Sequence, residues 1–225
     1  MTRIAKHRTA STLALALALG ACAPSPAPSE PAATAPATAT PPLTNAPELD
    51  AAAVFARLAK PAEGFKLTSP DIADGQPIAA KHVFNGFGCS GQNISPVLRW
   101  QGAPAGTKSF AVVVYDPDAP TGSGWWHWVI FNIPANVSSL AAGAGDPNRS
   151  GLPAGSTHAI TDFGSPGYGG PCPPPGDKPH RYFFRVHALG VEKIDMQTTA
   201  SPALVGFNIN ANTLATAQLV ALYGR

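Results

Sequence analysis

The sequence predicts an all-β domain, and three observations carry that prediction. Glycine and proline together make 47 of the 225 residues, while only 12% are charged. Such a composition favours short strands and long ordered turns over a helical bundle. Three segments, SFAVVVYD (109–116), WWHWVIFNI (125–133) and HRYFFRVHAL (180–189), are dense in β-branched and aromatic residues and bounded by glycine or proline. Their apolar content on both faces predicts central strands covered from two sides.

In chain order, the first element is a leader. Arg3, Lys6 and Arg8 precede an apolar run whose core, Leu13 to Leu19, is seven residues long. That is too short to span about 30 Å of hydrocarbon as a helix, and the charged, apolar and small-residue layout is that of a signal peptide over 1–21. Leu19-Gly20-Ala21-Cys22 resembles a bacterial lipobox, which predicts cleavage before Cys22 and lipidation of its thiol. A modified cysteine carrying several acyl chains is a stable membrane anchor. Ala23 rather than aspartate follows it, which points to the outer membrane and a periplasm-facing, exported domain. Loss of the leader leaves 12 basic residues against 13 acidic ones. No basic stripe remains, which argues against a nucleic-acid partner.

Residues 22–47 are predicted to be the lipidated cysteine and a disordered tether. From Ala23 to Pro47 there are eight prolines, no aromatic residue and one charge, too little apolar surface to offset the entropy of ordering. Over 48–63, Leu49, Ala52, Phe55, Leu58 and Ala59 repeat at helical spacing and predict a short amphipathic helix or arm. The remaining 162 residues, 64–225, fit one domain. Shorter strands are predicted at Phe65–Thr68, Val97–Trp100 and His158–Thr161. Near the end, Pro202–Gly206 reads as a turn of helix and Asn212–Ala221 as a longer one.

Three features carry chemistry. The first strand ends in Tyr115-Asp116-Pro117-Asp118-Ala119-Pro120, and alternation places Phe110, Val112, Val114 and Asp116 on one face. Taken alone, this is equally what a strand-ending turn contains. In the second strand, period two groups Trp125, His127, Val129 and Phe131. His127 is then either a hydrogen-bonded core histidine or the lining of a cavity. The third feature, GSPGYGGPCPPPGDKPHRY (164–182), holds five glycines and six prolines and delivers His180 and Tyr182 two residues apart. Its glycine N–H groups could form an anion nest, though the spacing is no dinucleotide fingerprint. Together these residues suit a small anion such as phosphate, with Asp116 orienting one histidine. Two histidines and a carboxylate could also hold a metal, but no close histidine spacing favours it. No metal and no cofactor is predicted.

The blocks CSGQNISPVLRW, SFAVVVYDPDAPTGSGWWHWVIFNIP, GYGGPCPPPGDKPHRY and GFNINANTLATAQLVALYGR closely resemble the phosphatidylethanolamine-binding protein family. The match is to its bacterial branch, often called Raf-kinase-inhibitor-like, and covers nearly all of 64–225. The resemblance implies an antiparallel β-sandwich of a large and a small sheet with a few peripheral short helices, including one near the C-terminus. It also implies a pocket for phosphate-like anions and phosphorylated head groups, built from Asp116, Pro120, His127, Pro174, His180 and Tyr182. Eukaryotic members typically carry paired histidines in the second strand, whereas here Trp126 takes the first place. The kinase and phospholipid partners of those relatives therefore do not carry over.

With Cys22 lipidated, Cys89 and Cys172 remain, and the resemblance places both near the pocket. In an oxidising compartment they are a candidate disulfide, the alternative being two separate thiols. The functional expectation is a membrane-tethered module that binds a small anionic or phosphorylated ligand and regulates or inhibits an unidentified protein target. Two alternatives stand beside it: a hydrolase using the His/Asp pocket, and a structural cell-envelope protein. For a hydrolase, Ser123 is the nearest hydroxyl to His127 in sequence, but it sits between two glycines and no G-x-S-x-G elbow is present.

Overall fold

The computed structural model describes residues 51–148 and 151–225. The expected leader, Cys22, the tether and Leu49 lie outside the described residues. Within the expected 48–63 segment the described residues form a short helix, α1 (Ala51–Arg57), which buries Ala52 and Phe55, while Leu58 just beyond it is 39% exposed. It is followed by β1 (Lys66–Thr68), a 3₁₀ turn (Ala80–His82), a small hairpin of β2 (Asn85–Gly86) and β3 (Cys89–Ser90), and β4 (Leu98–Gln101). The long strands are β5 (Ser109–Asp116), β6 (Trp125–Pro134) and β9 (His180–Leu189), with β7 (Ser139–Leu140) and β8 (Thr157–His158) between the last two. The chain closes with α2 (Pro202–Asn212) and β10 (Thr213–Tyr223).

Five strands form the large sheet in the order β10-β9-β5-β6-β8, and three form a small sheet, β1-β4-β7; all neighbours pair antiparallel. Every residue of β5 is buried, as its unbroken apolar run predicted. One face of the large sheet presents Phe110, Val112, Val114, Trp128, Ile130, Phe184 and Val186 to Leu67, Leu98, Trp100 and Leu140 of the small sheet. The other face presents Ala111, Val113, Tyr115, Val129 and Phe131 to Phe55 of α1 and to Val205 and Ile209 of α2. This is the expected sandwich with two peripheral helices.

Two expectations are corrected here. Residues 212–221 are not a helix. Nearly all of them belong to β10, which pairs with β9 from Thr213↔Leu189 to Tyr223↔His180. The run TLATAQLVALY can satisfy either period, and the open edge of β9 decides it: strand pairing satisfies both backbones while Ala215, Ala217 and Ala221 enter the sandwich core. The helix lies earlier and is longer than one turn. Ser201 caps it by accepting a hydrogen bond from Leu204 N (3.2 Å), Pro202 occupies its first turn, and Val205 and Ile209 anchor it one turn apart.

The second correction concerns β6. Val114 faces Trp128 while Tyr115 faces Trp126, so His127 is an extra residue in a β-bulge. A second bulge lies between Ile130 and Ile133, where Asn132 adopts φ 59° and is braced by two hydrogen bonds with Ile194, at 3.1 and 2.8 Å. Period two therefore fails along this strand. His127 does not share a face with Val129 and Phe131, which pack under the helices; it joins Trp125 and Tyr182 on the sandwich side.

Candidate anion-binding pocket

Where the sandwich-side faces of β5, β6 and β9 run out, a cavity of about 170 Å³ opens. The structure brings all six expected residues, Asp116, Pro120, His127, Pro174, His180 and Tyr182, to its lining. β5 ends in Asp116, which is 2% exposed. Its Oδ1 accepts from Asp118 N (2.8 Å) and Ala119 N (3.1 Å), so the carboxylate closes the turn that follows it. Its Oδ2 faces His180 Nδ1 at 2.8 Å. The histidine that Asp116 orients is thus His180, and Nδ1–H donates to the carboxylate in either charge state of the ring. On the outer side, His180 Nε2 lies 3.4 Å from Asp177 Oδ2.

The start of β9 is fixed by a residue of the same motif that was not among the expected site residues. Asp118 accepts from Arg181 N (2.9 Å), Nε (2.8 Å) and Nη2 (2.6 Å). Burial works against ionisation of Asp118, but the Arg181 bonds outweigh it and hold the carboxyl below its usual range. This clamp sets the register between the end of β5 and the start of β9, and with it the approach of His180 to Asp116.

The bulge aims His127 across the pocket. Its Nδ1 meets the Gly169 carbonyl at 2.7 Å, and its ring stands edge-on to Tyr182 at 5.2 Å. Burial lowers its pKa; Asp116 and the Gly169 and Gly170 backbone oppose that shift without cancelling it. The Tyr182 hydroxyl is buried against the Asp116 carboxylate, in contact with it but short of good hydrogen-bonding geometry, and no other group among the described residues accepts from it. Burial, reinforced by the neighbouring carboxylate, pushes its pKa up, so it remains a proton donor.

The Gly/Pro segment walls the pocket, and most of its glycine N–H groups are committed elsewhere. Gly164 N donates to Thr161 O, Gly169 N to His127 O and Gly170 N to Asn93 Oδ1, so those three N–H groups are spent on structure. Gly170 is required because a Cβ there would run into the His82 carbonyl. Cys172 is joined to Cys89 by a disulfide across 83 residues, tying this segment to the β2–β3 hairpin.

Phe87, Phe163, Trp125, Thr121 and Pro173 also line the cavity. Phe87 and Phe163 are single aromatics in glycine-rich loops, where no periodicity marks them. Trp126 and Ser123 lie elsewhere. They line a groove on the helix-covered side with Phe55 and Tyr115, so Trp126 does not face the pocket, and the serine is not beside His127. Among the described residues no three His, Cys, Asp or Glu side chains gather as metal ligands, and no helix is long and apolar enough to cross a membrane.

Comparison with known proteins agrees with this architecture. Residues 68–224 match the model of the phosphatidylethanolamine-binding protein family. The chain belongs to that family. The match takes in both paired cysteines and every pocket residue named above, while α1 precedes it. The UPF0098 protein YbcL of Escherichia coli is 53% identical over 169 residues, 75% of this chain and 92% of the relative. The UPF0098 protein YbhB of the same organism is 52% identical over 158 residues, 70% of this chain and 99% of the relative. The crystal structure of E. coli YbcL, described as a new member of the mammalian PEBP family, superposes with a TM-score of 0.71 at 54% identity, covering 72% of this chain and 99% of that one. The pocket therefore belongs to a family fold that binds ligands.

Proposed function

We propose that the chain is an exported, lipid-anchored module whose pocket binds a small phosphorylated or otherwise anionic ligand, through which it regulates a partner in the cell envelope. The observation that carries the reading is the buried Tyr182 hydroxyl, a donor with only a poorly aligned contact to Asp116 among the described residues, beside an imidazole fixed by Asp116 and facing a second imidazole at His127. A buried donor left fully unpaired costs about 1–3 kcal/mol; the Asp116 contact recovers part of that, and an anionic oxygen in the cavity would recover the rest. A cavity of about 170 Å³ has room for roughly five waters, the scale of a phosphate or carboxylate group, and its walls are mostly aromatic and proline side chains.

Asp116 also carries negative charge into the pocket, so anion binding is coupled to protonation of His127. A bound anion favours the imidazolium that burial disfavours, and affinity therefore rises as pH falls. The lipid anchor is supported by the Leu19–Cys22 motif, and export by a disulfide of the kind that persists in oxidising compartments.

Phosphate and phosphomonoester titrations, followed by histidine side-chain NMR between pH 5 and 8, test the pocket. Anion-dependent shifts at His127 and His180, with binding lost in His127→Ala (read at His180) and in His180→Ala (read at His127), support the module. No anion-dependent shift contradicts it, and steady release of phosphate from the ester would make the Asp116–His180 pair an acid–base couple of a hydrolase. For the anchor, mass measurement of the membrane-bound protein should find acyl chains on Cys22, and Cys22→Ser should release it.

A further inference from the structure

The outer wall of the pocket comes from two irregular segments: the β2–β3 hairpin, which supplies Phe87, and Cys172–Pro174. Phe87 is held oddly for a pocket residue. It is 67% exposed and sits at φ 52°, a conformation that bulky side chains adopt only when their surroundings impose it. It packs against Phe163 (5.9 Å, stacked) and Phe84 (5.3 Å), but those contacts leave most of the ring in solvent.

Two cross-links join the segments on either side of it. One is the Cys89–Cys172 disulfide. The other is the Arg225 side chain, whose Nε donates to Pro173 O (2.7 Å), Nη1 to Gly88 O (3.0 Å) and Nη2 to Phe87 O (3.1 Å). A planar fork of fixed donors can bridge three carbonyls at once, which a single ammonium cannot. The Arg225 carbonyl in turn accepts from Gly176 N at 3.0 Å, so the arginine is itself anchored to the segment it holds.

We infer that Arg225 and the Cys89–Cys172 disulfide form a double latch on the pocket wall, which makes Arg225 a positioning residue for ligand binding and couples ligand affinity to the oxidation state of the cysteines. The affinity half of this inference rests on the anion reading above; the latch itself does not. Because both links join the same two segments, either one holds the wall and the loss of both frees it. A dithiol unlatches the covalent link by transferring two electrons and two protons: the S–S bond breaks, two S–H groups form, and the dithiol becomes a disulfide. A reduced chain then holds Phe87 through Arg225 alone.

The test uses the full chain with Cys22→Ser, which leaves only the two latch cysteines. Backbone amide order at Phe87, Gly88 and Cys172 is measured without ligand, and inorganic phosphate affinity alongside. Both are read in oxidised and in dithiol-reduced protein, with Arg225 intact and with Arg225→Ala. Loss of one link should leave order parameters near those of rigid backbone, about 0.85, and loss of both should drop them below about 0.6. Phosphate affinity should fall less than about threefold for either loss and about tenfold or more for both, a coupled rather than additive effect. Arg225→Lys should behave as Arg225→Ala in reduced protein. The inference is overturned if the doubly unlatched protein keeps Phe87 ordered, or if the two losses simply add. Should the oxidised protein with Arg225 intact fail to bind phosphate at all, the anion reading fails, while the ligand-free amide order still decides the latch.

Discussion

Replacing Asp116 with alanine removes the one side chain that three groups of the pocket share. The carboxylate is buried; it meets His180 Nδ1 at 2.8 Å and accepts from the Asp118 and Ala119 amides at 2.8 and 3.1 Å. Removing one member of a buried pair costs about 3–5 kcal/mol. The two amides add about 1 kcal/mol each at the low end of the range for lost partners, because they belong to a turn rather than to a sheet interior. Relaxation around the small side chain offsets part of the sum, so Asp116→Ala should lose about 4–6 kcal/mol. Asp116→Asn keeps one oxygen for the amides and loses the charge opposite His180, and should cost about 1–3 kcal/mol. Urea unfolding at pH 7 reads both, and an unchanged m-value certifies that stability rather than compactness has moved. A loss under about 1 kcal/mol for the alanine variant, or equal losses for alanine and asparagine, would refute the view that Asp116 is the shared anchor.

The remaining predictions concern the disulfide, acid stability and α1. Eliminating the Cys89–Cys172 bridge, which spans 83 residues, should cost up to about 4–5 kcal/mol through the unfolded chain, lowering Tm by about 10–15 °C; a fall under about 3 °C in a calorimeter counts against it. His187 is buried and its pKa is pushed down to about 3 by burial, then by Arg185 and Lys60. The unfolded state therefore binds a proton that the folded state refuses. Stability is full above the ordinary histidine pKa of about 6.5 and is lost as pH falls towards 3; His187→Leu should flatten that slope in urea melts, and an unchanged slope contradicts the assignment. Arg185 is fully buried, stands 3.8 Å over the Phe55 ring and donates to Phe55 O (3.0 Å) and Gln218 Oε1 (3.2 and 2.9 Å). Arg185→Ala should release α1, seen as fast amide exchange confined to residues 51–60; protection equal to wild type would show that Phe55 packing alone retains the helix.

Where the sequence was legible, the reason is local. β5 carries an unbroken apolar run and β9 a stretch dense in aromatic residues, each with glycine or proline nearby, and their limits emerge unchanged in the structure. The three pocket motifs are short, rigid and contiguous, so their residues converge once the strands pair. The failures have longer-range causes. The face of His127 depends on a bulge, which is set by pairing with β5 and leaves no mark in the alternation of WWHWVIFNI. The strand at 213–223 depends on the free edge of β9. Which histidine Asp116 holds depends on the Asp118–Arg181 clamp between two strand ends 63 residues apart. Phe87 reaches the pocket from a hairpin tied by a disulfide, and nothing in its own neighbourhood of sequence announces that role.

The central claim, an anion pocket coupled to protonation of His127, is tested most directly by calorimetry of phosphate binding in two buffers of different ionisation enthalpy, with sulfate as an anion that does not titrate in this range. The account predicts net proton uptake by the protein on binding either anion, greatest between the free and bound pKa values of His127, and absent in His127→Gln. Binding without proton uptake, or uptake that persists in His127→Gln, would contradict it.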